Sequence, residues 1–292
     1  MFALNTNRIS TVNFHLWQPC NMGCNFCFAT FHDVKKDMKL PKGHVPEQEA
    51  TEIVHQLAEF GFKKINFAGG EPTLCPWLPI LIERAKKPGM QTSIVTNGSR
   101  ISDEWLGTLS GNLDIIALSI DSANTATLER LGRNVRGKPP ITEDEYLHII
   151  GLIKRHGIRL KINTVVTLLN WQEDLTGFIR SAGPERWKLL QVLPIEGQND
   201  DHFANLQITA SQFYQYVQRN GVVETDGITV VAESNELMTK SYVMVDPAGR
   251  FFDNAKGTYT YSEPILKVGV EEALRQVSTD FQRFKERGGQ YE

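Results

Sequence analysis

Short apolar runs alternate with longer stretches of helical periodicity over the first two thirds of this 292-residue chain. Runs such as VNFHLW and INFAGG are nearly continuous in apolar residues, which is typical of strands covered on both faces. The pattern predicts six strands, at 10–17, 63–72, 91–99, 113–121, 158–166 and 186–195. It predicts intervening helices at 46–61, 78–87, from 103, at 123–131, 143–157 and from 173.

Six strand–helix alternations are typical of a parallel sheet with crossover helices. Because six units are fewer than the eight of a closed barrel, we predict an α/β fold, a partial (βα)6 barrel, in residues 1–195. In such barrels the site lies at the carboxyl ends of the strands. The polar and glycine residues towards the carboxyl ends of the predicted strands are Gly69, Gly70, Glu71, Asn97, Ser119, Asp121, Asn163 and Gln191.

Residues 196–292 follow a less regular pattern. They contain a predicted helix at 211–219, two short apolar strands around the turn at 247–249, and a last helix from 270. We interpret this part as a C-terminal extension that closes the barrel opening and contributes to the substrate pocket.

The overall charge and hydropathy narrow the class of protein. The formal net charge is -3, which argues against general attraction to nucleic acid or to an anionic membrane. Apolar runs long enough to span a bilayer are missing from the sequence. The net charge does not exclude a local basic pocket for a phosphorylated small molecule. Because the few cysteines of the chain are expected to be reduced thiols, we expect a cytoplasmic protein.

Cys20, Cys24 and Cys27 form the motif C-x3-C-x2-C in the run CNMGCNFC. Three thiolates are one fewer than a closed tetrahedral site needs, and a [4Fe–4S] cluster held by three of them keeps one iron open for another ligand. A zinc site completed by His15, His32 or His44 is an alternative, as are unpaired structural thiols. The remaining cysteine, Cys75, is expected to be an inert buried thiol.

The cysteine triplet, AGGEP after the second strand, TNGS after the third and SID after the fourth together resemble the radical S-adenosylmethionine (radical SAM) superfamily. The resemblance implies that S-adenosylmethionine chelates the open iron and is cleaved to a 5′-deoxyadenosyl radical, which abstracts a substrate hydrogen. It also implies a set of residues for this cofactor: Phe26, Phe28, Gly69, Gly70, Glu71, Asn97, Ser99, Ser119 and Asp121.

Blocks such as VNFHLWQPCNMGCNFCF, RWKLLQVLPIEG and SYVMVD are similar to one family within that superfamily, the viperin-like enzymes, and in particular to its prokaryotic branch. The resemblance implies dehydration of a ribonucleoside triphosphate to its 3′-deoxy-3′,4′-didehydro analogue, a chain terminator in antiphage defence. It further implies a flavodoxin- or ferredoxin-like electron donor and a monomeric enzyme. The alternatives are another radical SAM enzyme, acting on a peptide or a cofactor precursor, and a zinc-binding interaction module.

A triphosphate requires cationic side chains, and several lie at or beside the predicted strands. Lys161 and Asn163 alternate along one strand, and Arg186 and Lys188 along the next, so each pair shares a face. The candidates for binding the triphosphate are Lys64, Arg133, Lys161, Asn163, Arg186 and Lys188. The viperin-like resemblance adds Asn13 at the nucleobase, Glu233 and Asn235 closing the pocket, and Tyr242 as a redox-active group.

Overall fold

A mixed sheet of ten strands forms the centre of the computed structural model, which describes residues 9–109 and 111–289. The strands are β1 (Thr11–Trp17), β2 (Lys64–Gly69), β3 (Gln91–Thr96), β4 (Ile115–Ser119), β5 (Arg159–Val166), β6 (Arg186–Gln191), β7 (Thr229–Glu233), β8 (Val243–Val245), β9 (Arg250–Asp253) and β10 (Thr260–Pro264). The first six of these correspond to the six strands predicted from the sequence.

The spatial order of the strands is β10-β9-β8-β1-β2-β3-β4-β5-β6-β7. All pairs from β8 through β1 to β7 are parallel, whereas β9 and β10 are added antiparallel. Within the described chain β7 and β10 are the two outer strands and do not pair with each other, so the sheet is open. The predicted α/β partial barrel is therefore confirmed.

Helices cover the sheet between successive strands. They are α1 (His32–Lys36), α2 (Glu47–Phe60), α3 (Leu78–Lys86), α4 (Asp103–Thr108), α5 (Thr125–Arg130), α6 (Glu143–Arg155), α7 (Thr176–Ala182), α8 (Asp200–Phe203), α9 (Ala210–Asn220), α10 (Asn235–Met238), α11 (Ile265–Val268), α12 (Val270–Arg275) and α13 (Phe281–Glu286). Two 3-10 segments lie at Pro72–Leu74 and Gly221–Asp226. None of the helices in the described ranges is long and apolar enough to cross a bilayer.

Helix α6 shows how the local sequence determines where a crossover helix begins and which of its faces is buried. Its first turn is a capping box, in which the Thr142 hydroxyl accepts the backbone N–H of Glu145 and the Glu145 carboxylate accepts the backbone N–H of Thr142. Ile150 and Ile153 lie three positions apart on the buried face of the helix. Burial of each such side chain contributes roughly 1.5–3 kcal/mol, so packing of this face fixes the helix in place.

The two faces of β1 have opposite roles. Val12, Phe14 and Leu16 are buried in the apolar core between the sheet and the helices. Thr11 and Asn13 alternate with them and face the concave side, where they line a cavity. Thr11 and Asn13 are therefore the polar positions of β1 that face the cavity.

The C-terminal extension is part of the same sheet. Strand β7 pairs with β6 at one end, and β8 pairs with β1 on the other side of the barrel. The predicted pair of short strands is confirmed as β8 and β9, which are antiparallel. The helix predicted from residue 270 is confirmed as α12, but it is not the last one, because it ends at Arg275 and α13 follows. The proposed division at residue 195 stays a prediction, and its outer limits, residues 1–8 and 290–292, lie outside the described residues.

Residues 18–31 carry the cysteines and are called the cysteine loop. This loop packs closely against backbone positions that are occupied by glycine. The Gly70 N–H donates to the Trp17 carbonyl at 2.5 Å, and a Cβ at Gly70 would lie 2.3 Å from the Gln18 carbonyl oxygen. On its other side the loop meets Gly132, whose φ is +70° and whose Cβ would lie 2.3 Å from the Gly23 carbonyl oxygen. Neither position accommodates a larger residue.

We predict that Gly132→Ala displaces the cysteine loop, and that Gly137→Ala, its matched control, does not. Both glycines have positive φ, so alanine at either costs about 1 kcal/mol in backbone strain. Only at Gly132 does the new Cβ collide with the loop, which raises the loss in unfolding free energy to about 2–4 kcal/mol. The measurements are chemical denaturation and iron content after anaerobic reconstitution. Equal iron content in the two variants would contradict this contact.

Candidate active site

Cys20, Cys24 and Cys27 lie beyond the carboxyl end of β1, partly exposed and outside any disulfide. Burial and the neighbouring Cys24 raise the pKa of the Cys27 thiol to about 12, and burial also raises the pKa of Cys20. The three sulfurs are thus close enough to repel one another when ionised. Such a set is stabilised by binding a cationic centre.

The donor set fits a [4Fe–4S] cluster better than a single metal ion. In residues 9–109 and 111–289, no three His, Cys, Asp or Glu groups are arranged to hold one ion. A cubane binds each cysteine on a different iron, so its three ligands need not meet at one point. Two histidines of the zinc alternative are engaged elsewhere: His15 packs against Phe31 and Phe252, and His44 stacks on Trp17.

Glu71 joins the carboxyl ends of β2 and β3. Its Oε1 accepts the backbone N–H of Thr73 at 3.0 Å and the hydroxyls of Thr73 and Thr96 at 2.6 and 2.7 Å. Its Oε2 accepts the backbone N–H of Asn97 at 2.8 Å. The carboxylate is therefore fully used in holding the two loops, which leaves the backbone of Gly69–Glu71 as the part of this motif able to meet a ligand.

A second polar contact links the end of β3 to the cysteine loop. The Asn97 amide donates to the Asn21 side-chain oxygen at 2.9 Å, and the Asn21 amide donates to the Ser99 hydroxyl at 2.9 Å. Both predicted residues, Asn97 and Ser99, therefore lie beside the cysteines. Asn21, which sequence reasoning missed, stands between them.

Arg133 was predicted to bind triphosphate, and the structure places it elsewhere. Its guanidinium pairs with Asp121 at 2.8 Å, donates to the Cys24 sulfur at 3.4 Å and donates to the Ser119 carbonyl. Arg133 and Asp121 are both buried. Arg133 thus lies on the cysteine side of the site with Ser119 and Asp121.

Phe26 and Phe28 lie on either side of Cys27 and pack into different apolar clusters. Phe26 packs with Leu131 and Val192, whereas Phe28 packs with the extension. The Phe28 carbonyl accepts the hydroxyl of Tyr259 at 2.9 Å. The extension therefore contacts the cysteine loop directly.

A cavity with about 590 Å³ of empty space, part of it open to solvent, lies on the concave face of the sheet. The cationic side chains that line it are Lys64, Lys161, Arg186, Lys188 and Arg287. The predicted residues Asn13, Asn163 and Tyr242 also line it. The structure thus brings together the predicted substrate residues of β1, β2, β5 and β6.

The cations in this cavity are close enough to perturb one another. Burial and the charges of Lys188 and Arg186 lower the pKa of Lys64 to about 7. Burial and the charges of Lys64 and Arg186 lower the pKa of Lys161 to about 5. Since both effects oppose the charged form, an anion bound here would reverse them.

Glu233 is a buried carboxylate that contacts three of the residues lining the cavity. It pairs with Lys188 at 2.7 Å and with Arg287 at 3.3 Å, and it accepts the hydroxyl of Tyr242. Although burial favours the neutral acid, Lys188 and Arg287 lower the pKa of Glu233. The Arg287 guanidinium also lies 3.6 Å from the centre of the Tyr242 ring. The phenol of Tyr242 is thus held between a carboxylate and two cations.

Four polar residues of the cavity escaped sequence reasoning, namely Thr11, Asn66, Ser93 and Arg287. The Asn66 amide donates to the Asn13 side-chain oxygen at 2.9 Å, and the Asn66 oxygen accepts the Ser93 hydroxyl at 2.8 Å. The signal for Asn66 was present, because Lys64-Ile65-Asn66 repeats the pattern Lys161-Ile162-Asn163 on another strand. Arg287 had no comparable signal, since it follows a short helix far along the chain.

Asn235 and Cys75 lie apart from the cationic cavity. The Asn235 backbone N–H donates to the Gln191 side chain at 3.1 Å, and Asn235 lines a second cavity with residues 193–195, Asn254, Ala255 and Gly257. Cys75 is buried in the main apolar core, and burial raises its pKa to about 12. Cys75 is therefore a buried thiol, as predicted.

Comparison with known proteins places the chain in a family. A model of the radical SAM superfamily matches residues 17–179. Solved structures with the same fold include native anSMEcpe with bound AdoMet and Cp18Cys peptide, at TM-score 0.70 and 14% identity over 95% of this chain and 81% of that one. Streptococcus suis SuiB bound to precursor peptide SuiA gives TM-score 0.62 and 17% identity over 82% of this chain and 58% of that one.

Relatives with much higher identity are named S-adenosylmethionine-dependent nucleotide dehydratases. One from Lacinutrix mariniflava is 52% identical over 98% of this chain, which spans 59% of that protein's length. One from Flammeovirga pacifica is 50% identical over 98% of this chain and 97% of its own length. One from Oncorhynchus mykiss, whose name carries the suffix RSAD2, is 34% identical over 97% of this chain and 80% of its own length. The chain therefore belongs to the radical SAM superfamily and, within it, to the family of S-adenosylmethionine-dependent nucleotide dehydratases, the viperin-like enzymes that its sequence resembles.

Proposed function

We propose that this protein dehydrates a ribonucleoside triphosphate to its 3′-deoxy-3′,4′-didehydro analogue, using a [4Fe–4S] cluster and S-adenosylmethionine. The observation that carries the proposal is the cavity lined by five cationic side chains on the same concave face as Asn13 and Tyr242. Keeping so many neighbouring basic groups charged is costly without an anionic ligand, which is why the pKa values of Lys64 and Lys161 are lowered. A triphosphate supplies several negative charges and many acceptor oxygens to these groups.

The position of the cations along their strands supports an orientation for the substrate. Lys64 and Arg186 are the first residues of β2 and β6, whereas the cysteine loop follows the carboxyl end of β1. A triphosphate at the amino ends would direct the ribose towards the cysteines. Asn13 and Asn66, which are hydrogen-bonded on neighbouring strands, offer amide groups to a base edge.

The cysteine side of the site fits S-adenosylmethionine. Cys20, Cys24 and Cys27 would hold the cluster, which when bound with S-adenosylmethionine supplies the one-electron chemistry that removes a substrate hydrogen atom. The Gly69–Glu71 backbone and Arg133 are suited to the amino and carboxylate groups of the cofactor. Side chains of the predicted set surround them, namely Phe26, Phe28, Asn97, Ser99, Ser119 and Asp121.

Tyr242 is suited to complete the dehydration. After a hydrogen atom has left C4′, loss of the 3′ hydroxyl as water requires one electron and one proton. The Tyr242 phenol can provide both, and becomes a phenoxyl radical that an external electron donor then reduces. Glu233, which is kept ionised by Lys188 and Arg287, orients the phenol through its hydrogen bond. Glu233 and Arg287 are thus positioning residues for Tyr242.

The remaining properties follow from the family resemblance. We propose a cytoplasmic monomer that receives electrons from a flavodoxin- or ferredoxin-like protein and acts in antiphage defence through its chain-terminating product. Asn235, which faces a second cavity beside the extension, is proposed to help close the site and not to bind phosphate.

The reaction is tested by incubating the reconstituted, reduced enzyme with S-adenosylmethionine and each of the four ribonucleoside triphosphates under anaerobic conditions. We expect 5′-deoxyadenosine and a nucleotide lighter than the substrate by one water, with at least one base. Mass spectrometry of both products is the measurement. An enzyme that forms 5′-deoxyadenosine but leaves all four triphosphates intact would contradict the proposed reaction.

Triphosphate binding should be coupled to proton uptake. The pKa of Lys161 is about 5 and that of Lys64 about 7, and a bound anion raises both. At a pH between the pKa of each lysine in the free protein and its higher pKa in the complex, binding takes up protons. The affinity for triphosphate therefore increases as pH falls through this range. Calorimetry in buffers of different ionisation enthalpy measures this uptake.

Lys161→Met should decrease the proton uptake and weaken triphosphate binding by about tenfold or more. The exposed neighbour Lys63→Met is the matched control and should leave both unchanged. If Lys161→Met takes up as many protons on binding as the wild type and the control, Lys161 does not contact the triphosphate.

Tyr242→Phe keeps the ring under Arg287 but removes the phenolic O–H. We expect 5′-deoxyadenosine to form while the dehydrated nucleotide decreases by about tenfold or more, because the last electron and proton are lost. Tyr216→Phe, a change of the same kind in the buried face of α9, is the control. An unchanged ratio of the two products in Tyr242→Phe would show that Tyr242 does not supply the last electron and proton.

A further inference from the structure

The cysteine loop is partly exposed, and none of its residues lines the cationic cavity. Gly23 is exposed, and Asn21, Cys24 and Asn25 are partly exposed. A cluster held by this loop must receive electrons from outside the protein, and the exposed side is the surface nearest its ligands.

Two segments border this surface and are hydrogen-bonded to the loop. Residues 129–138 contact it through the Asn25 amide, which donates to the Arg130 carbonyl at 3.0 Å, and through the Arg136 guanidinium, which donates to the Cys20 carbonyl at 3.0 Å. Residues 97–100 contact it through the Asn21 amide and Ser99. These segments therefore move with the cysteines.

The exposed charged residues of the two segments are mostly cationic. Their exposed cations are Arg100, Arg130, Arg136 and Lys138, and Glu129 is the one acidic residue within the two segments. Arg133, which is also in the second segment, is buried with Asp121. The exposed side chains of these two segments therefore carry a net charge of +3, on a chain whose formal net charge is -3.

We propose that this surface, formed by residues 21–25 with Arg100, Arg130, Arg136 and Lys138 (the basic border), is the docking site of a small acidic protein that carries one electron at a time on a flavin or an iron–sulfur centre. On docking, the carrier loses one electron and the oxidised cluster gains it, with no other bond made or broken. Charge complementarity at such a surface raises the association rate and selects the orientation in which the two centres are closest.

The basic border is separate from the triphosphate site. None of its residues lines the cationic cavity, which lies among the first residues of β2 and β6. A surface with only four exposed cations is also small for nucleic acid, whose affinity depends on many phosphate contacts. The compact acidic face of an electron carrier matches it better.

The test uses the full chain with its cluster and the double variant Arg130→Glu/Lys138→Glu. Both residues are exposed, and the Arg136 contact with Cys20 is left intact. The control is Lys87→Glu/Lys154→Glu, which makes the same charge change at exposed residues after α3 and in the last turn of α6, next to the amino ends of β3 and β5. The probe is a purified flavodoxin of net negative charge in its hydroquinone form.

Anaerobic stopped-flow absorbance measures the rate of cluster reduction by flavodoxin. A parallel measurement uses dithionite as a small-molecule reductant. For wild type and control, the rate with flavodoxin should be high at low ionic strength and fall as salt is added. For Arg130→Glu/Lys138→Glu it should be lower by about tenfold or more and nearly independent of salt. The rate with dithionite should be equal in all three, which shows that each cluster is intact.

Equal flavodoxin rates in wild type and double variant, or an equal loss in the control, would overturn the proposal. A wild-type rate that does not respond to salt would also overturn it, and this measurement needs no variant. Loss of single-stranded RNA binding in the double variant with unchanged flavodoxin reduction would assign the basic border to nucleic acid instead. No nucleotide substrate is present in the assay, so its result is independent of whether the proposed dehydration is correct.

Discussion

The close approach of the β2 glycines to the end of β1 is the contact on which the site depends. Gly70 lies so near the carbonyls of Gln18 and Pro19 that no side chain fits between the two backbones. Glu71, held next to this contact, extends it to β3 by accepting from Thr96 and Asn97. The ends of three adjacent strands are thereby fixed to one another, and the cysteines are presented from a rigid base instead of a mobile loop.

The parallel sheet separates two kinds of chemistry along its length. Thiols and their polar contacts lie beyond the carboxyl ends of the strands, whereas the lysines and arginines lie at or near the amino ends of β2, β5 and β6. Glu233 belongs to the extension and neutralises part of the cationic group through Lys188 and Arg287. The extension therefore adjusts the charge of the cavity as well as covering it.

The sequence was sufficient to predict the barrel strands and most of the charged residues that line the cavity. Near-continuous apolar runs identify β1 to β6, and alternation within KIN and RWK identifies the side chains that face inward. The position of Arg133 beside the cysteines could not be predicted, because it depends on a buried ion pair with Asp121 that spacing does not reveal. Arg287 was missed because its position depends on how α13 packs against α10, a tertiary contact without a local pattern.

The pairing of β8 with β1 has a consequence for how the chain folds. The Asn13 amide donates to the Val243 carbonyl, a residue 230 positions later. During synthesis, β2 can cover one edge of β1 early, but the other edge must wait until most of the chain has left the ribosome. Throughout that interval an apolar parallel strand has an unpaired edge, which is the situation in which nascent chains aggregate and chaperones bind. The strand that leads to the cysteines is thus also the last part of the barrel to be completed.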